Sequence, residues 1–397
     1  MHILHLIDSL AFGGAETSLA SSASELIARG VRVDVAYLKA RPGVAGDLEE
    51  AGATLFSLAH RHGRTGWVRE CRRLVQDRRP DLLHTTLFEA DVAGRLAGAS
   101  VGVPVVSTLA NLAYGPEQLT NPDLRPWKVR GARTIDATTA RLASRFHAIS
   151  HTVAEVMGRR LALDPNRIDV VPRGRDPHQL GRRSDERRHA ARRVLGVQLD
   201  TALVVAAARH EHQKGLDVLV QAWPAIRAVI PAAQLVIAGR EGNQSPLLRQ
   251  LISGALDGGD SEGIRLLGPR ADVPELLCAA DIFVMPSRWE GLGSVLLEAM
   301  ALEAPIVASD LPSVREATGS DGARLVSAGD HRGVAAAVVD MLLEPVTAAR
   351  RARAARQRFL DRFTITEVTD GMLDFYRRAL EEGPRLRIGR ARYGPLS

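Results

Sequence analysis

The chain has 397 residues, 45% of them hydrophobic and 25% charged, enough apolar material for two or three domains at roughly 100 to 200 residues each. Its formal net charge of +6 is too mild to mark a nucleic-acid binder, and only Lys39, Lys128 and Lys214 among its 52 basic residues are lysine, a skew that fits the codon usage of a GC-rich genome. The two cysteines, Cys71 and Cys278, lie far apart in helical contexts, which argues against a disulfide framework or a zinc cluster and fits a reducing cytoplasm.

Residues 1–10 are apolar but contain Asp8 and run into Gly13-Gly14, so they read as a first strand and not as a signal peptide. No run approaches the roughly 18 apolar residues of a transmembrane helix, so any membrane contact is expected to be peripheral. Short runs rich in Val, Ile and Leu recur at residues 3–7, 31–37, 82–85, 103–108, 146–149 and 168–171. They lack polar alternation and are separated by helical stretches, which predicts parallel strands covered on both faces in a doubly wound α/β domain. Within it, residues 64–79 place Trp67, Val68, Cys71, Leu74 and Val75 on one helical face and Arg69, Arg72, Arg73 and Arg78 on the other. That helix either packs on the sheet or lies against anionic lipid.

Residues 172–200 break the rhythm with Arg173, Arg175, Arg182, Arg183, Arg187 and Arg188, and read as a linker followed by an exposed helix. A second strand series follows at residues 203–207, 234–238, 264–267, 282–285, 306–308 and 324–326. Two such domains joined by a linker are expected to take ligand in the cleft between them, at the carboxyl ends of their strands. Residues 350–362 and 364–380 have the spacing of amphipathic helices, and 384–397 is an arginine-rich tail expected to fray. The predicted division is therefore 1–175, 176–363 and a C-terminal segment 364–397.

The strongest local signal is Ser287 to Met300, with Glu290, Gly291, Leu292, Gly293, Ser294 and Glu298 between two predicted strands. Glycines after a strand let backbone amides at a helix N-terminus approach a phosphate. Glu290 would stand before that helix and Glu298 about two turns inside it, an arrangement suited to hydroxyls at the two ends of an extended ligand such as a sugar and a ribose. On spacing alone, a glycine turn and a helix bearing two unrelated acids explains the segment equally well. A second constellation is Arg209-His-Glu-His-Gln-Lys214-Gly215 after the first strand of the second half. Two loop cations at this distance can clamp a diphosphate and stabilise its charge as it leaves. His210 and His212 alternate on a loop with no third ligand, which disfavours a metal. Gly13-Gly14-Ala15-Glu16 after the first strand permits close backbone approach but lacks the further glycines of a dinucleotide fingerprint, so NAD binding is disfavoured.

Together, Glu290 and Glu298 as E-x7-E, residues 209–215 as R-x4-K-G, the early Gly-Gly loop and the junction 171–176 resemble the retaining glycosyltransferases of family 4, in order from Met1 to about Tyr376. The resemblance implies the GT-B fold of two Rossmann-like domains, an N-terminal acceptor side and a C-terminal nucleotide-sugar side. It implies that Arg209 and Lys214 hold the donor diphosphate, Glu290 the transferred hexose and Glu298 the ribose. Residues 291–294 would meet sugar and phosphate, Gly14 would complete the phosphate pocket, and the stretch holding Arg270 would pack the nucleobase. The final helix would cross back to the N-terminal domain. Two departures stand out: Ala110 replaces the histidine of the T-x-H motif that starts at Thr108, and the junction Pro172-Arg173-Gly174-Arg175-Asp176 carries arginines in place of asparagine and valine.

The expected reaction is metal-independent transfer, because no D-x-D pair occurs and Arg209 with Lys214 would neutralise the leaving diphosphate. No cofactor is expected. The expected partners are a nucleotide-sugar donor, UDP-sugar ahead of GDP-mannose, and a small-molecule, glycan or lipid-linked acceptor, with no nucleic acid. The expected location is the cytoplasm, with peripheral contact at the inner face of the membrane as one option. A nucleotide-sugar epimerase on the same fold and a degenerate sugar-nucleotide-binding subunit, suggested by Ala110, are the alternative readings.

Overall fold

The computed structural model describes residues 1–59, 63–121, 123–256 and 263–385. The chain divides into two compact units, Met1–Gly174 with Ile365–Ser397, and Arg175–Thr364. The first runs β1 (His2–Ser9), α1 (Gly14–Ala28), β2 (Arg32–Lys39), α2 (Ala45–Glu50), β3 (Thr54–Ser57), α3 (Gly63–Arg78), β4 (Leu82–Thr86), α4 (Phe88–Val101), β5 (Val105–Leu109), α5 (Pro116–Leu119), α6 (Pro126–Ala140), β6 (Arg145–Ala148), α7 (His151–Leu161) and β7 (Ile168–Val170). Its seven strands are parallel in the order β3-β2-β1-β4-β5-β6-β7. Every residue of β5 and β6 is buried, as unalternating apolar strands with helices on both faces require. The edge strand β3 falls outside the runs read from the sequence; its four residues include exposed Thr54 and Ser57, too polar and too short to register as a buried strand.

The α3 helix settles the two readings of its apolar face. Cys71 and Val75 are buried, and Trp67, Val68 and Leu74 pack on the same core as Leu4 and Leu83, so the sheet takes the face that the sequence offered to lipid. The helix ends where Arg79 turns to φ +49°.

The second unit runs α8 (Pro177–Leu180), α9 (Asp185–Leu195), β8 (Leu203–Ala207), α10 (Leu216–Val229), β9 (Gln234–Ala238), α11 (Ser245–Leu256), β10 (Ile264–Gly268), α12 (Val273–Ala279), β11 (Ile282–Met285), α13 (Ser294–Ala301), β12 (Ile306–Ser309), α14 (Pro312–Thr318), β13 (Arg324–Val326), α15 (His331–Leu343) and α16 (Pro345–Arg362). Its six strands are parallel in the order β10-β9-β8-β11-β12-β13. The expected exposed helix, α9, is half-sunk instead: Ala191, Arg192 and Leu195 are buried. The Arg192 guanidinium donates to Asp281 Oδ2 at 2.6 Å and to the Ala279 and Gln198 carbonyls at 3.0 and 2.8 Å. A fully partnered arginine can enter a core that its composition alone would assign to solvent.

The final helix, α17 (Ile365–Glu382), belongs to the first unit. Val368, Met372, Phe375, Tyr376 and Ala379 repeat at helical spacing and are buried against Ile3, Ile7 and Val171. Each large apolar side chain fully buried contributes about 1.5 to 3 kcal/mol, which attaches this helix firmly. The tail beyond residue 385, expected to fray, lies outside the described residues.

Candidate functional site

Strand order reverses between β8 and β11, and at such a switch point the loops leaving both strands diverge and open a crevice. Residues 209–215 leave β8 and residues 286–293 leave β11. The first loop closes with a 3-10 turn over His212–Lys214 and Gly215 at φ +61°. A Cβ on Gly215 would stand 2.1 Å from the Pro286 carbonyl oxygen, so both the backbone conformation and the approach of the second loop demand glycine.

The two loops are stitched together. Arg288 donates to the His212 carbonyl at 2.9 Å and, bidentately, to Asp217 at 2.8 and 2.5 Å. The Arg288 amide donates to the Gln213 carbonyl at 2.8 Å, and Gln213 Nε2 donates to the Trp289 carbonyl at 3.0 Å. This stitching sets Lys214 Nζ 2.5 Å from Glu290 Oε2, with the side chains only 19% and 10% exposed. In so sheltered a place the pair is a strong, oriented charge-assisted hydrogen bond.

Glu290 is further fixed through its carbonyl, which accepts from Ser313 Oγ at 2.6 Å. Leu292 is buried. Gly293 caps α13 at φ +79°, and Ser294 is the first residue of that helix. Glu298 therefore lies a little over one turn inside α13, not two, because the helix begins later than the spacing suggested. Glu298 Oε1 accepts from Arg175 Nε at 2.9 Å, and the Arg175 side chain is 5% exposed. In the sequence Arg175 reads only as extra charge at the junction; nothing in its spacing signals a carboxylate 123 residues away.

The other expected cations make different contacts. Arg209 Nη1 lies 3.8 Å from Glu211. Arg270 binds Asp272 bidentately at 2.7 and 2.5 Å, and this bond holds the Asp272 carboxyl below its usual range. His210 Nδ1 sits 3.0 Å from Ser245 Oγ. Among the described residues no three His, Cys, Asp or Glu side chains gather in a way that could hold a metal.

Gly14 lies in the first unit, where it opens α1 after the Gly13 cap. Nearby, Asp8 accepts from the Ala90 amide at 2.8 Å, and burial pushes its carboxyl up to about 6. Thr108 is inside β5 rather than after it, and Ala110 follows the strand. Thr108 Oγ1 stands 2.6 Å from His84 Nε2 and 3.0 Å from His147 Nδ1. Tyr376 Oη lies 2.7 Å from His84 Nδ1, and His147 Nε2 lies 2.7 Å from the Val171 carbonyl.

That carbonyl can only accept, so the neutral tautomers follow in turn: Tyr376 donates to His84, His84 to Thr108, Thr108 to His147 and His147 to Val171. Burial keeps these rings neutral, lowering His147 to about 4 and His84 well below its ordinary value. His5 is also lowered to about 4 by burial, and with His84 and His147 it lines a small cavity of about 60 Å³. Sequence reasoning missed all three histidines, because single polar residues inside apolar strand runs give no signal of their own.

The profile of the family described as "Glycosyltransferase Family 4" matches residues 12–179, and that of "Glycosyl transferases group 1" matches residues 200–344. The chain is 30% identical to a D-inositol 3-phosphate glycosyltransferase of Salinispora arenicola over 331 residues, 80% of this chain and 70% of that one. It is 28% identical to the alpha-maltose-1-phosphate synthase of Mycolicibacterium smegmatis over 321 residues, 75% of this chain and 79% of that one. Among solved structures, Anabaena HepE in complex with UDP-glucose superposes with a TM-score of 0.82 at 22% identity, covering 95% of this chain and all of that one. Two Rossmann-like units built on parallel sheets define the GT-B class of glycosyltransferase. The chain belongs to glycosyltransferase family 4.

Proposed function

We propose that this glycosyltransferase moves a sugar, with retention, from a nucleotide-diphosphate donor to a hydroxyl acceptor, with a UDP-sugar ahead of GDP-mannose as donor. The observation that carries the reading is the Lys214–Glu290 pair, which joins the two sequence motifs in one sheltered charge pair at the switch point of the second unit. The UDP-glucose bound by HepE and the glycosyltransferase name of the Salinispora arenicola relative support it.

In this reading Lys214 and Arg209 meet the donor diphosphate, Glu290 accepts from hydroxyls of the transferred hexose, and Glu298 accepts from the ribose. The amides of residues 291–294 serve the sugar and phosphate, and Arg270 borders the base. As the bond from the sugar's anomeric carbon to the β-phosphate oxygen breaks, negative charge grows on the diphosphate, where fixed cations stabilise it most. The acceptor oxygen bonds the anomeric carbon from the same face, and its proton passes to the departing phosphate oxygen. That route needs neither a histidine at Ala110 nor a divalent metal. The first unit takes the acceptor side, and the enzyme works in the cytoplasm. Incubating the protein with UDP-glucose or GDP-mannose and measuring nucleotide release tests the reading; a wild-type protein that releases neither nucleotide, with or without added glycosyl acceptors, refutes it.

A further inference from the structure

The amino ends of the second sheet carry a hollow that the donor chemistry does not use. Ala202 precedes β8, Asp281 precedes β11 and Pro305 precedes β12. All three line a cavity of about 780 Å³ whose wall α10, α15 and α16 complete. The donor motifs leave the opposite, carboxyl ends of β8 and β11, so the length of the strands separates the two places. The volume falls within the roughly 300 to 1,000 Å³ of small-molecule sites.

The wall is selective by composition. Among the described residues that line it there is no serine, threonine, asparagine, glutamine or histidine and no aromatic ring, so its side chains neither match sugar hydroxyls nor stack a nucleobase. Its body is aliphatic: Leu199, Val229 and Leu343 are 53%, 54% and 64% exposed there. Large aliphatic side chains left in water around one hollow gain from being covered.

Three arginines and three acids share the wall. Asp281 is taken by Arg188 and Arg192, each at 2.6 Å, and Glu303 by Arg356 at 3.2 Å. Arg183 is placed differently. Its Nη1 donates to the Glu303 carbonyl at 3.1 Å and its Nη2 to the Ala280 carbonyl at 2.6 Å, which leaves part of the five-donor fork unused. Among the described residues no acid pairs with it, and burial, followed by the neighbouring Arg188, lowers its pKa from the ordinary value. Arg353 and Asp200 are exposed, and neither makes an ion pair among the described residues. Two uncommitted cations against one uncommitted acid leave the wall complementary to a monoanion.

We propose that this cavity binds a small amphipathic monoanion, an aliphatic body ending in one carboxylate, with the carboxylate on Arg183 and Arg353 and the body along Leu199, Val229 and Leu343. A carboxylate matches the guanidinium fork with two parallel hydrogen bonds and brings the counter-charge that half-buried Arg183 lacks. The aliphatic body removes the exposed side chains from water. A second copy of the chain would cover the same rim, but it would bring polar surface to a wall without side-chain hydroxyls or amides to receive it. The proposal is independent of the donor reading, because no residue lining the cavity is assigned a role in that reading.

The test is calorimetric titration of octanoate into the full chain, beside 1-octanol and octylammonium, which keep the aliphatic body and remove or reverse the charge. Saturable binding of a single octanoate per chain is expected, with both analogues weaker by about tenfold or more. Leu343→Glu and Arg353→Gln alter exposed side chains, so both should keep the wild-type melting temperature, and each should weaken octanoate by about fivefold or more. Arg183→Gln should weaken it about tenfold, with its melting temperature reporting separately the loss of the two carbonyl bonds. Saturating UDP-glucose should leave the octanoate affinity unchanged. No saturable octanoate binding, equal binding of 1-octanol, wild-type affinity in both Leu343→Glu and Arg353→Gln, or displacement by UDP-glucose overturns the proposal. So does sedimentation of the wild type as a dimer that Leu343→Glu dissociates, which would assign the hollow to a second copy.

Discussion

Lys214 and Glu290, 76 residues apart in the chain, meet 2.5 Å apart at the switch point of the second sheet. In the proposed site the cation of this pair meets the diphosphate and the carboxylate meets sugar hydroxyls. Replacing Lys214 with alanine removes a charge-assisted contact of about 1.5 to 3 kcal/mol, so donor affinity should fall about tenfold or more. Glu290→Gln keeps the shape but loses the charge, and steady-state kinetics should show kcat/KM lowered by a similar factor.

Glu298 has two jobs that can be separated. In the proposed site it bonds the ribose, and in the fold it partners the buried Arg175. Glu298→Ala should weaken donor binding about tenfold, and it should also cost roughly 3 kcal/mol or more of stability, because it separates a buried guanidinium from its carboxylate. The double variant Arg175→Leu with Glu298→Leu should regain melting temperature without regaining donor affinity. Recovery of both would remove Glu298 from the site.

Gly215→Ala tests the stitching of the two loops. The substitution puts a Cβ against the Pro286 carbonyl at a residue with φ +61°, and forcing apart the loops should lower stability by about 1 to 3 kcal/mol. Thermal melting should show the loss, and donor affinity should fall with it because Lys214 is the preceding residue.

Burial lowers the imidazoles of His5 and His147 from about 6.5 to about 4. Below pH 6.5 the unfolded chain takes up protons that the folded chain refuses, so stability is complete above that pH and declines as pH falls towards 4. Each tenfold drop in proton affinity on folding corresponds to about 1.4 kcal/mol, so the loss amounts to a few kcal/mol. His147→Gln should flatten the pH dependence of the denaturation midpoint across this window. An unchanged slope would show that folding leaves the proton affinity of this imidazole unaltered.

In the proposed mechanism Arg209 and Lys214 serve the diphosphate in place of a divalent ion, so chelation should leave transfer intact. Activity measured in excess EDTA should match the untreated enzyme; loss on chelation with recovery on adding magnesium or manganese would reveal a metal role.

The strands of both sheets were legible because parallel strands buried on both faces leave unbroken apolar runs, as at 203–207 and 282–285. The edge strand β3 was not, being short and polar. The motif residues were legible because glycine, arginine and glutamate at fixed spacing carry a chemical meaning within one loop. What stayed hidden was long-range: Arg175 against Glu298, Arg288 against Asp217, and Arg192 against Asp281. Partners for buried arginines are set by tertiary packing, and a single sequence holds no pattern for them. The His84–Thr108–His147 chain is of the same kind, formed across neighbouring strands by register.

The most direct measurement is a calorimetric titration of UDP-glucose and GDP-mannose, in the presence of EDTA, into the wild type and Lys214→Ala. The account predicts that the wild type binds at least one of these nucleotide-sugars without metal, and that Lys214→Ala binds it about tenfold or more weakly while still folding, with a melting temperature lowered because Glu290 loses its sheltered partner. Equal affinity in the two proteins, or no binding of either donor by the wild type, would contradict it.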